Sequence, residues 1–189
     1  CKKYGKALTK EELREKIYGR RNEDWLVTVF GPLSDEQLQS YAEEKEELFR
    51  AIYDKDIKPV DGLTDFLKRL AELRIPRAIA TSAPRSNVDF TLGRTDTSKY
   101  FNIILNDTFV THSKPHPEIY LKCAQALGLP NSQCIVIEDS LSGVQAGKAA
   151  GSKVIGITTT HTREELTHCD LVIDDFEGLN IEKLASLVA

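Results

Sequence analysis

Cys134-Ile135-Val136-Ile137-Glu138-Asp139-Ser140 runs without a break into Leu141-Ser142-Gly143-Val144-Gln145-Ala146-Gly147-Lys148-Ala149-Ala150-Gly151. An apolar run of strand length gives way to two adjacent carboxylates. A helical pattern over 142–150 follows, closed by the kind of glycine that a left-handed C-cap favours. Gly143, Ala146, Gly147, Ala150 and Gly151 fall on one helical face, which lets a helix approach a sheet closely. A buried strand that delivers polar residues into the loop before a helix is the unit from which parallel sheets are built, and such sheets bind ligands at the carboxyl ends of their strands.

The same texture extends in both directions. Strands are predicted at 77–81, 101–106, 134–138, 153–158 and 171–173, with helices at 63–73, at 117–127 before Gly128, and a short one opened by Thr162-Arg163-Glu164-Glu165. Strands alternating with helices predict a mainly parallel sheet covered on both faces. The first fifty-odd residues read as helices only. Thr9-Lys10-Glu11-Glu12 and Ser34-Asp35-Glu36-Gln37 match the capping box at a helix start. Leu13, Ile17, Leu38, Tyr41, Ala42, Leu48, Phe49 and Ile52 recur at helical steps and predict faces that pack into a small bundle. Charge, proline and glycine over 54–62 read as a hinge. The expected organisation is therefore a helical segment at 1–57 and an α/β core at 58–189.

With 189 residues, 41% hydrophobic and 29% charged, the chain is long enough for one sizeable core and an appendage. The net charge of −4, with no long run of Lys and Arg, argues against a nucleic-acid surface and for a small-molecule partner. The apolar runs are strand-sized and no signal peptide opens the chain, so the expectation is a cytosolic protein without a membrane partner. Cys1, Cys123, Cys134 and Cys169 stand far apart and read as reduced thiols. The sequence has no methionine and begins at Cys1, so residue 1 does not read as a translation start.

Polar residues collect where the strands end. Ile79-Ala80-Thr81-Ser82-Ala83 ends in two hydroxyls, Thr111-His112-Ser113-Lys114-Pro115 leaves a lysine before a helix, and Glu138-Asp139 places an acidic pair after an apolar strand. Taken singly, each has a plain structural role to hand. Thr81 and Ser82 fit the cap of the next helix, Lys114 fits a solvated surface, and Asp139 or Ser140 fits a helix cap. The acidic pair is the most informative, because adjacent carboxylates repel and a hard divalent cation is a common reason to place them together. His112, His116, His161 and His168 show no metal-ligand spacing, and surface or capping roles suffice for them.

Taken in order, the Thr81-Ser82 pair, Ser113-Lys114-Pro115-His116-Pro117 and Val136-Ile137-Glu138-Asp139-Ser140 with its glycine-rich helix make the sequence resemble the haloacid dehalogenase superfamily. The likeness is to the branch containing beta-phosphoglucomutase and phosphoglycolate phosphatase, and it covers essentially the whole chain. It implies a Rossmann-like parallel core with a helical cap. It also implies that Thr81, with Ser82 beside it, binds a phosphoryl group, that Lys114 offsets phosphate charge, that Asp139 ligates Mg²⁺ directly and that Glu138 acts on the metal through water. Those roles suit phosphoryl transfer, which is mostly positioning and neutralisation of charge on the equatorial oxygens.

The resemblance further implies a nucleophilic aspartate in an Asp-x-Asp motif at the end of a first, central strand. That motif is absent: Asp54/Asp56, Asp61 and Asp174/Asp175 do not follow an apolar strand into the expected turn. The expectation is a chain that lacks the first core strand and is inactive as written, with two neighbouring strands left short of partners. In the cap, Asn22 falls where the sugar-phosphate mutase has a phosphate-gripping arginine, and Arg20 or Arg21 is the candidate substitute. The expected function is Mg²⁺-dependent hydrolysis of a small phosphomonoester through an aspartyl-phosphate. The alternatives are a sugar-phosphate mutase, a non-catalytic protein that keeps the phosphate pocket, and a receiver-like signalling domain, which leaves the helical segment unexplained.

Overall fold

The computed structural model describes residues 1–188, and its chain divides into two compact units, Cys1–Asp56 and Ile57–Ala189.

The first unit holds α1 (Lys10–Lys16), α2 (Asn22–Phe30) and α3 (Asp35–Tyr53). Both capping boxes form. The Thr9 and Ser34 hydroxyls accept the backbone N–H groups of Glu12 and Gln37, whose side chains accept those of Thr9 and Ser34 in return. Trp25, Leu26 and Val29 of α2 make the core, against Ile17, Leu38, Tyr41 and Ala42. The expectation that the whole apolar face of α3 packs in this bundle is corrected, because Leu48 and Ile52 are 57% and 64% exposed. The reason is length: at 1.5 Å per residue, about 28 Å of α3 cannot be covered by about 10 Å of α1 and about 13 Å of α2.

The second unit contains α4 (Leu63–Glu72), β1 (Ala78–Ala80), α5 (Arg85–Arg94), β2 (Ile103–Leu105), α6 (Glu118–Leu127), β3 (Ile135–Glu138), α7 (Leu141–Ala149), β4 (Lys153–Ile157), β5 (Leu171–Ile173) and α8 (Ile181–Val188). Every strand pair is parallel, but the strands form two sheets, β1-β2 and β3-β4-β5. Ala80 pairs with Leu105 in the first, and Glu138 with Gly156 in the second. β4 has partners on both sides and is buried from Val154 to Ile157, whereas among the described residues β1 and β3 each pair along one edge only.

Alternation along the strands sends side chains to two helical layers. Val136 and Val154 pack with Ile119 and Tyr120 of α6, with Val144 and Ala146 of α7 and with Ala150 just after it, and this cluster also takes in Ala80 and Leu105 from the smaller sheet. On the other face Ile137, Leu171 and Ile173 pack against Phe66, Leu67 and Leu70 of α4 and Leu184 of α8. The small-residue face of α7 lies on the sheet as expected: a Cβ added at Gly147 would stand 2.9 Å from Val154 Cγ2.

The helix expected from Thr162 does not form. Its capping bonds do, Glu165 N to Thr162 Oγ1 at 3.4 Å and Thr162 N to Glu165 Oε2 at 2.8 Å. Only turns follow them, because the chain must bury Leu166 completely and enter β5 at Leu171. A single turn does not offset the cost of helix nucleation. Among the described residues, no helix is long and apolar enough to cross a membrane.

Candidate active site

The end of β3 organises the site. Alternation places Glu138 on the same face as Val136, so its carboxylate enters the layer beneath the sheet and is buried there. Lys114, from the loop before α6, forms an ion pair with Glu138 Oε1, with the two side chains only 6% and 8% exposed. Tyr120 of α6 donates its hydroxyl to the same oxygen at 2.5 Å. The Ser140 hydroxyl and backbone N–H donate to Glu138 Oε2 at 2.9 and 3.2 Å. The Ser140 oxygen also caps α7 by accepting the Gly143 N–H at 3.1 Å. Gly143 has no room for a side chain, since a Cβ there would meet the Glu138 carboxyl carbon at 2.1 Å.

Burial alone would raise the Glu138 pKa. The Lys114 charge and the hydrogen bonds from Lys114, Tyr120 and Ser140 outweigh it and hold the carboxyl below its ordinary value. The same arrangement, led by burial and then by the Glu138 charge, pushes the Tyr120 phenol well up, so it serves as a donor. Burial likewise raises the Cys123 thiol to about 11, which keeps it a thiol rather than a nucleophilic thiolate.

Lys114 Nζ also donates to the Ala80 carbonyl oxygen at 3.3 Å. Its ammonium therefore touches the last residue of β1 and the last residue of β3, one position before Thr81 and one before Asp139. Thr81 is half-buried and still in register, with its N–H donating to Leu105 O at 3.0 Å and its hydroxyl accepting from Ala83 N at 3.0 Å. Ser82 is half-buried beside it. Asp139, also half-buried, accepts from the Thr159 hydroxyl at 3.2 Å and from the Thr160 hydroxyl, and pairs with no cation among the described residues.

The plain structural roles divide accordingly. Helix α5 is entered at Pro84 without a side-chain cap, so neither Thr81 nor Ser82 caps it. Lys114 is buried rather than solvated, and of the acidic stretch only Ser140 acts as a cap. Glu138, expected to act on a metal through water, is turned into the buried layer. Its charge is balanced by Lys114 and both its oxygens are engaged, so the two carboxylates serve different partners. The oxygen donors at Asp139, a carboxylate flanked by two threonine hydroxyls, fit a hard cation such as Mg²⁺. Tyr120, Ser140, Thr159 and Thr160 are site residues that sequence reasoning did not assign. Only Ser140, next to the acidic pair, carried a local signal.

In the helical unit, Asn22 is committed to the fold: its amide donates to the buried Glu46 at 2.7 Å and accepts from Trp25 Nε1 at 3.0 Å. Arg21 bonds Asp24 one helical turn on, at 3.2 Å, while Arg20 is exposed.

A parallel α/β core with lysine, hydroxyl and carboxylate at its strand ends defines a class, and the chain belongs to it: the family model for haloacid dehalogenase-like hydrolases matches residues 1–157. Among known proteins, the chain is 31% identical over 156 residues to a phosphorylated carbohydrates phosphatase of Thermotoga maritima, covering 82% of this chain and 72% of that protein. It is 34% identical over 116 residues to the validoxylamine A 7'-phosphate phosphatase of Streptomyces hygroscopicus subsp. limoneus, covering 61% of this chain and 54% of that one. A crystal structure of a family IA, variant 3 haloacid dehalogenase hydrolase from Entamoeba histolytica superposes with a TM-score of 0.85 at 35% identity, over 98% of this chain and 86% of that chain. The chain spans about half the length of several curated relatives it matches.

Proposed function

We propose that this chain carries the phosphate- and metal-binding side of a Mg²⁺-dependent phosphatase for a small phosphorylated metabolite. The observation that carries the reading is the Lys114 ammonium, buried and shared between Ala80 O and Glu138 at the ends of β1 and β3. A cation fixed there neutralises phosphoryl charge while Thr81 and Ser82 offer hydroxyl donors and Asp139 offers a carboxylate to the metal. Mg²⁺ held by Asp139 would supply charge compensation on the phosphoryl oxygens. Thr159 and Thr160 fix the direction of the Asp139 carboxylate, and the Tyr120 and Ser140 donors help hold Glu138 ionised as the partner that keeps Lys114 in place.

The nucleophile in this reading is an aspartate on a strand lying between β1 and β3, each of which leaves one edge unpaired among the described residues. It would accept the phosphoryl group as an aspartyl-phosphate that water then discharges. Hydrolysis is favoured over a mutase because Asn22, in the position of the mutase's cap arginine, is tied to Glu46 and Trp25. The names of two relatives, phosphatases of phosphorylated carbohydrates and of validoxylamine A 7'-phosphate, support a small phosphorylated substrate.

The test supplies the full-length gene product with small phosphomonoesters and hexose phosphates in Mg²⁺, following free phosphate and isomerised sugar together. Phosphate release lost in Lys114→Ala is the expected result. Isomerisation outpacing release would replace the reading with a mutase, and no turnover by a protein carrying an Asp-x-Asp motif would replace it with a binding protein.

A further inference from the structure

The loop that delivers Lys114 carries a second group of ligating side chains. His112 and His116 are exposed, and both reach Glu118, the first residue of α6. His112 Nδ1 lies 3.2 Å from Glu118 Oε2, and His116 Nδ1 accepts the Glu118 backbone N–H at 3.3 Å. The two rings lie alongside each other, centroids 4.5 Å apart and planes inclined by 33°. One ligand atom from each of the three residues lies within 4.8 Å of the others.

Glu118 is already fixed for such a role. Its carboxylate accepts the backbone N–H groups of Thr111 at 3.1 Å and His112 at 2.9 Å. Lys122 holds Oε1 at 2.7 Å, which leaves Oε2 toward the His112 ring. The carboxylate is thus held by the loop it would help to close, and the groups that must still move are the two exposed imidazoles.

We propose that His112, His116 and Glu118 form a binding site for a borderline divalent transition-metal ion, with Zn²⁺ as its representative. Two imidazole nitrogens and one carboxylate oxygen are a ligand set for Zn²⁺, Ni²⁺ or Cu²⁺, whereas Mg²⁺ prefers oxygen alone. Bonds of about 2.0–2.2 Å in tetrahedral geometry bring ligand atoms to about 3.3 Å from one another, so closure asks the widest pair to approach by about 1.5 Å. Rotation of exposed rings supplies this without disturbing a buried group. On binding, the ion takes the place between His112 Nδ1 and Glu118 Oε2, and a ring proton held there leaves to water. Water takes the fourth position, and the bound ion ties segment 112–116, with Lys114 inside it, to the first turn of α6.

The experiment is calorimetric titration of Zn²⁺ into this chain at neutral pH with Mg²⁺ in excess, alongside His112→Ala, His116→Ala and the double variant. All retain Asp139 and the four cysteines, so a difference isolates the proposed site. The expected result is one equivalent bound by the unsubstituted chain, with affinity reduced by about 10- to 100-fold or more in each single variant. Unchanged circular dichroism would show that the variants fold. Co²⁺ bound in place of Zn²⁺ is expected to show no thiolate charge-transfer absorption. Absence of binding at micromolar Zn²⁺, equal binding by the double variant, or a thiolate spectrum would each overturn the proposal.

Discussion

Replacing Lys114 by Met removes the cation from a buried pair and leaves the Glu138 carboxylate, 8% exposed, with only the Tyr120 and Ser140 donors. A charge stranded in this way costs about 3–5 kcal/mol if it stays ionised. The alternative is for Glu138 to take up a proton. Measured from an ordinary glutamate pKa of about 4.3, that costs about 3.7 kcal/mol at pH 7 and about 1 kcal/mol at pH 5. The cheaper route sets the loss, so Lys114→Met is expected to be less stable by about 3–4 kcal/mol at pH 7 and about 1–2 kcal/mol at pH 5.

The signs of the pH dependence are opposite in the two proteins. In the unsubstituted chain Glu138 has a lowered pKa, so its contribution is complete above about 4.3 and is lost as pH falls through the folded value. In the variant its folded pKa is raised, so stability declines as pH rises from 5 to 7. Urea unfolding in metal-free buffer, followed by far-ultraviolet circular dichroism, measures both. Trp25 lies in the core of the helical unit, so its fluorescence reports on that unit instead. Lys114→Met/Glu138→Gln should recover most of the loss and remove the pH slope. A loss below about 1 kcal/mol at pH 7, or one independent of pH, would refute the account of the buried pair.

Other substitutions probe neighbouring contacts. Tyr120→Phe removes a charge-assisted bond and should cost about 1.5–3 kcal/mol, with the acid limb of the stability profile moved to higher pH as the Glu138 pKa rises. Gly143→Ala places a Cβ 2.1–2.3 Å from the Glu138 carboxylate, and the strain of overpacking should cost about 1–3 kcal/mol by urea unfolding. Gly147→Ala, whose nearest neighbour is a valine methyl group at 2.9 Å, should cost less than Gly143→Ala. Asn22→Ala leaves Trp25 Nε1 without its acceptor and removes one of the donors to Glu46 Oε1, which keeps Lys45 at 2.7 Å, and Trp25 fluorescence should report a loss of about 1–3 kcal/mol in the helical unit.

What could be read from the sequence was local. The capping boxes at Thr9 and Ser34 and the C-cap at Gly128 follow from short patterns that the structure reproduces, and the strands predicted at 77–81, 134–138 and 153–158 form as Ala78–Ala80, Ile135–Glu138 and Lys153–Ile157. For the helix after Thr81-Ser82, neither the bounds nor the buried face of α5 could be read, because that face is Asn87, Val88 and Leu92 among polar neighbours, too weak a stripe to register. The fate of Glu138 was also invisible. Adjacent carboxylates read alike in sequence, but strand alternation turns one inward onto Lys114 and Tyr120 and leaves the other half-buried with Thr159 and Thr160. The histidines at 112 and 116 read only as surface or capping residues, because their third partner, Glu118, joins them only once the loop folds back on the start of α6.

The proposal that Asp139, Lys114 and Thr81 act as one phosphoryl-transfer site is tested most directly by the Mg²⁺ dependence of phosphate release in the full-length gene product and its Asp139→Asn variant. The substitution keeps the shape and the acceptor oxygen for Thr159 and Thr160, so the urea midpoint should not move. Turnover should fall by about 10²–10³-fold, with a higher Mg²⁺ concentration needed for half-maximal rate. Undiminished turnover with the same Mg²⁺ requirement would contradict the assignment of Asp139 to the metal and, with it, the site.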